Sequence, residues 1–122
     1  MGADGITTNC GFLSLFQEKM AEAVNVPVAT SSLMQVNMVQ SLLPKSKKVA
    51  ILTIHKPSLK QEHLIPANVP LDTPIIGTEN GKEFTRVIIN DEKEMDIDQA
   101  RQDHLDAVKE LMTSHSNIGA IV

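Results

Sequence analysis

Apolar residues recur along this chain with two different spacings, and the two alternate. Lys48-Val49-Ala50-Ile51-Leu52-Thr53-Ile54 is apolar without alternation, as expected of a strand covered on both faces. Shorter apolar runs at Gly5 to Thr8, Asn25 to Thr30, Pro74 to Gly77 and Asn117 to Val122 predict four more strands. Between them the period lengthens to 3.6. Phe12, Leu15, Phe16, Met20, Ala23 and Val24 share one helical face, opposite Gln17, Glu18 and Glu22. Further helices are predicted from Leu33 to Leu43, stopped by Pro44, from Gly81 to Ile89, and from Ile97 to His115. Ser14 with Gln17, Ser32 with Gln35, Ser58 with Gln61, and Asp96 with Gln99 all stand at capping-box spacing. Strands alternating with helices predict an α/β fold, a three-layer open parallel sheet with helices on both faces.

The 122 residues suit one α/β unit with one core, spanning residues 1–122. Aromatic residues are 2% of the chain, so that core must be built from Leu, Ile, Val, Met and Ala. The formal charge of −4 leaves no basic footprint for nucleic acid. The one basic cluster, Lys45-Ser46-Lys47-Lys48, reads as a solvated connection. No apolar run reaches membrane-spanning length, and the N-terminus lacks the regions of a signal peptide. A single cysteine fits a reducing compartment, so a cytoplasmic protein is expected, with no nucleic-acid or membrane partner. Leu33, Met34, Val36, Met38, Val39, Leu42 and Leu43 occupy nearly the whole circumference of their helix. That pattern argues for burial within an assembly or between two halves, and with an exposed sheet edge it favours association, for which a homo-oligomer is one form.

The chemistry concentrates where the first strand turns into the first helix, in Thr8-Asn9-Cys10-Gly11-Phe12. Open α/β sheets place ligand sites at such exits, because backbone N–H groups and the helix dipole converge there. A thiol at this point can act as base, nucleophile or, once protonated, acid. His55 ends the longest strand, on the same sheet edge as Cys10. His104 falls on the apolar side of the last helix and reads as a core histidine. The four histidines lack the paired spacings of zinc sites, and the run Asp91 to Asp98 supplies no calcium-loop glycine or closing glutamate, so no metal is expected.

Gly-Ala-Asp-Gly-Ile followed by Thr-Thr-Asn-Cys-Gly-Phe-Leu resembles the first cysteine motif of the aspartate/glutamate/hydantoin racemase superfamily. The resemblance implies a fold of two similar α/β halves facing each other across a cleft. It also implies proton transfer at a carbon alpha to a carboxylate by a pair of cysteines, with no cofactor. Cys10 would be the first of the pair, with a small carboxylate or amino acid as substrate. Thr8, Asn9, Gly11, Phe12, Ser31, Ser32 and His55 would be the substrate-binding residues. Decarboxylases of the family resemble one another in carrying glycine in place of this cysteine, so Cys10 speaks against that branch.

Two-base racemisation needs an acid and a base on opposite faces of the carbanion, and one thiol supplies one face. The chain is therefore expected to be the central part of a longer two-half enzyme and inactive when taken alone. Three alternatives stand beside this reading: a decarboxylase or isomerase relative, a non-catalytic module binding a small anion, and a redox-sensing thiol.

Overall fold

Each apolar run becomes a strand: β1 (Ile6–Thr7), β2 (Val28–Ala29), β3 (Lys48–Thr53), β4 (Ile75–Gly77) and β5 (Ile118–Ile121). They are seen in a computed structural model that describes residues 2–122. The 3.6-residue patterns give α1 (Gln17–Glu22) and α2 (Val36–Leu42), entered through 3-10 turns at Gly11–Phe16 and Ser32–Gln35. A further 3-10 turn at Lys56–Ser58 precedes α3 (Gln61–Leu64), and α4 (Phe84–Ile89) and α5 (Ile97–Ser114) complete the chain. Every strand pair is parallel, as the intervening helices require. The protein is of the α/β class.

The strands form two ladders and not one continuous sheet. β3 lies between β4 and β5, while β1 pairs with β2 alone. A side chain closes the free edge of β2. The Gln17 carboxamide donates to the Val28 carbonyl (2.9 Å) and accepts from the Thr30 N–H (3.0 Å). The Ile6 N–H donates to the Pro27 carbonyl (2.9 Å). Alternate backbone groups of a strand face opposite edges, so Gln17 occupies the edge of β2 that another strand would take. This also shows why the Ser14–Gln17 spacing makes no capping box: Gln17 is committed to β2, and Ser14 is buried inside the 3-10 turn.

Successive residues of β3 point to opposite faces, and each face has its own cover. Val49 and Ile51 pack with Leu33 and Val36 of the α2 arm and with Leu59 and Leu64 around α3. Ala50, between them, packs with Leu111 of α5 and with Ile118. Three layers result. Leu111 is 1% exposed, and its truncation to Ala would cost about 2–5 kcal/mol. α2 is more one-sided than its sequence predicts, since Leu33 and Val36 enter the core while Met38 and Leu42 stand 60% and 77% exposed. Among the described residues no helix is long and apolar enough to cross a membrane.

Two of the remaining caps differ from expectation, one by one position and the other by two. Ser31, not Ser32, accepts the Leu33 N–H (3.1 Å). Ahead of α3, the Lys60 N–H donates to His63 Nδ1 (3.1 Å), so the Ser58–Gln61 pair is not the cap. Asp96 caps α5 as predicted, accepting from the N–H groups of Asp98 and Gln99.

α4 is capped from a distance. The Asp103 carboxylate on α5 accepts from the N–H groups of Lys82 (3.0 Å), Glu83 (2.7 Å) and Phe84 (2.8 Å), and from Gln99 Nε2 (2.9 Å). Burial alone would raise its pKa. The hydrogen bonds from Phe84, Lys82, Gln99 and Glu83 outweigh burial and hold it well below the ordinary aspartate value of 3.8. Gly81 makes room for this arrangement, because a Cβ there would fall inside the Asp103 carboxylate.

A depressed carboxylate pKa contributes stability that is fully present above the unfolded value and lost as pH falls through the folded one. Thermal unfolding between pH 7 and pH 2 should therefore show stability falling below about pH 4. Asp103→Asn should flatten that acid limb, and Asp103→Ala should cost about 2–4 kcal/mol at neutral pH. An acid limb identical in Asp103→Asn would contradict the assignment.

Candidate functional site

The exits of β1, β2, β3 and β5 open onto one cavity of about 520 Å³, at the carboxyl ends of the strands where α/β ligands bind. Asn9, Cys10, Gly11 and Phe12 enter it from the loop after β1, and Ser32 and Leu33 from the turn after β2. The end of β3, Ile51 to Ile54, and Val122 form its floor. The far wall is Phe84 and Ile88 of α4 with His104 of α5. The near and far walls thus come from the layers on opposite faces of the sheet.

Cys10 has extended backbone (φ −127°, ψ 111°) and directly precedes the 3-10 turn. Its thiol is free and exposed. The loop carrying it is tied down through Thr30, which is fully buried. Thr8 Oγ1 donates to the Thr30 carbonyl (2.6 Å), and Gln17 Oε1 accepts from both the N–H and the hydroxyl of Thr30 (3.0 and 2.8 Å). Thr8 Oγ1 has one proton, so the shorter bond to Thr30 takes precedence over its 3.3 Å approach to the Cys10 carbonyl. Phe12 is fixed by a buried neighbour, His63, whose ring meets it edge-on at 5.1 Å.

The structure brings together Asn9, Cys10, Gly11, Phe12 and Ser32 of the residues expected from sequence, and leaves three others off the cavity lining. Thr8 is a loop fastener, its hydroxyl spent on Thr30. Ser31 is buried and caps Leu33. His55 follows β3 but turns to Ser58, with Nδ1 2.6 Å from Oγ.

His104 is the residue that sequence reasoning placed differently. It is half-buried and lines the cavity, not the core. Its Nδ1 donates to the Ala100 carbonyl (2.7 Å), because a carbonyl oxygen can only accept. In the neutral ring the lone pair is therefore on Nε2. Phe84 holds the ring at 4.2 Å between centroids. Helical periodicity assigns a residue to a face but cannot tell a core from a cavity at its edge, so no sequence signal separated the two.

The far wall is anchored on the α4 side as well. Thr85 Oγ1 donates to the Ile54 carbonyl (2.8 Å), joining α4 to the end of β3. Arg86 binds Glu83 (2.7 Å) and Glu92. The hydrogen bond from Arg86, with one from the Asp96 N–H, keeps the Glu83 carboxyl below its usual range.

Comparison of the chain with family models, curated proteins and solved structures found no match.

Because Gln17 alone holds both the N–H and the hydroxyl of Thr30, Gln17→Ala should lower stability to urea by about 1–2 kcal/mol. It should also speed hydrogen exchange at the Thr30 amide. Exchange at Thr30 equal to that of the parent would show that the side-chain rung does not hold the loop.

Proposed function

We propose that the protein is a cofactor-independent, racemase-like unit of the aspartate/glutamate/hydantoin type, in which Cys10 transfers a proton at a carbon alpha to a carboxylate. The observation that carries this reading is an exposed cysteine lining an open cavity at the strand exits, beside Asn9 and Ser32. In the reaction the Cys10 thiolate takes the α-proton. The electron pair of the broken C–H bond moves into the carboxylate, giving an enolate-like dianion. Asn9, the Ser32 hydroxyl and the N–H groups of Gly11 and Phe12, which have no acceptor within the 3-10 turn, would stabilise that charge. Cys10 is the one cysteine of the sequence, so it serves one face of the carbon. Inversion takes a second acid on the other face.

The parallel α/β fold with helices on both faces supports the reading, as does the Thr-Thr-Asn-Cys-Gly-Phe-Leu motif at the cavity mouth. An exposed, unpaired thiol suits a reducing compartment such as the cytoplasm.

An α-bromo acid tests the placement of the thiol directly. Cys10 sulfur would form a bond to the α-carbon of 2-bromopropanoate while bromide leaves with its bonding pair. The alkylation rate should saturate with bromo-acid concentration. Asn9→Ala with Ser32→Ala should raise the half-saturating concentration about tenfold. A rate linear in concentration and equal to that of free cysteine would defeat the proposal.

A further inference from the structure

The two walls of the cavity offer a ligand different chemistry. The side of the lining that carries Cys10 also carries Asn9 and Ser32, both exposed residues with polar side chains. These can meet one carboxylate. Across the cavity Phe84 and Ile88 present hydrocarbon, and Ile54 and Val122 continue it along the floor. The ionisable groups on the lining are Cys10 and His104, and among the described residues neither Lys nor Arg joins them. An acid group brought out of water without a charged or donating partner is destabilised by the loss of its hydration. The second carboxylate of a dicarboxylic acid would fall against Phe84 and Ile88, with the His104 ring alone to receive it. That ring already spends its Nδ1 proton on Ala100.

From this division we infer that the Cys10 site takes a small monocarboxylic acid bearing an apolar side chain, not a dicarboxylic acid. The inference rests on the reading of Cys10 as the group that faces the α-carbon. The acid group lies on the Asn9 and Ser32 side, and the side chain lies along Phe84, Ile88 and Ile54. The volume of about 520 Å³ accommodates such a molecule.

Titration of the isotope-labelled chain with 4-methylpentanoate and with succinate, followed by the NMR signals of the Ile54 and Ile88 methyl groups and the His104 ring, tests this. 4-Methylpentanoate should shift those signals and half-saturate at a concentration about tenfold below that of succinate. Ile88 is 51% exposed, so Ile88→Lys can place a cation on the far wall without disturbing the core. That variant should narrow or reverse the preference. Equal or tighter binding of succinate by the parent chain, or no response to either acid, would overturn the inference. Selective binding together with unsaturable alkylation by the bromo acid would remove the proton-transfer reading and keep only the preference of the cavity for the apolar acid. Saturable alkylation together with a preference for succinate would do the reverse.

Discussion

A single buried carboxylate organises the far half of this molecule. Asp103 is 3% exposed, and the charge survives there because three backbone N–H groups and a carboxamide surround it. The constraint runs in both directions. The N–H groups that open α4 need an acceptor, and the carboxylate needs donors, so α4 can dock on α5 in one register. That register sets Phe84 against His104. The bond from Thr85 to the Ile54 carbonyl then levels α4 with the end of β3, and the far wall of the cavity follows.

The near wall has an equivalent fastening in which the buried group is neutral. Thr30 spends its N–H, hydroxyl and carbonyl on Gln17 and Thr8, and the loop after β1 is held by the same bonds. A cavity whose two sides are pinned independently is preorganised, and preorganisation gives placed donors their value. The far wall is mainly hydrocarbon, from Phe84 and Ile88, while Asn9, Cys10 and Ser32 stand on the cavity's exposed side. The same wall makes an unpartnered second charge costly. The proposed role of Cys10 and the proposed ligand preference both rest on one property, the scarcity of charge around the thiol.

Much of this architecture was legible in the sequence. The unbroken run from Val49 to Leu52 specified a strand covered on both sides, and the 3.6-residue pattern from Ile97 onward specified α5 nearly to its last residue. Cys10 and its neighbours read as a strand-to-helix turn, and that turn is at the cavity mouth. What escaped depends on contacts between distant residues. The Asp103 carboxylate bonds to N–H groups about twenty residues earlier, and the Gln17 carboxamide bonds to a strand more than ten residues later. No local spacing announces either. The capping-box reading of Gln17 failed because a carboxamide can serve a helix end or a strand edge, and the strand edge had no other partner. His104 was misplaced for a related reason, since the apolar face of α5 continues past the core to the rim of the cavity.

The account turns on Cys10 sharing a cavity with residues from the opposite layer. Attaching a nitroxide to the Cys10 sulfur and recording paramagnetic broadening across the chain measures that arrangement directly. The account predicts that the signals of Ile88 and the His104 ring broaden strongly, while those of Leu71 and His115, which border a separate depression, stay sharp. Sharp Ile88 and His104 signals with the label in place would contradict it.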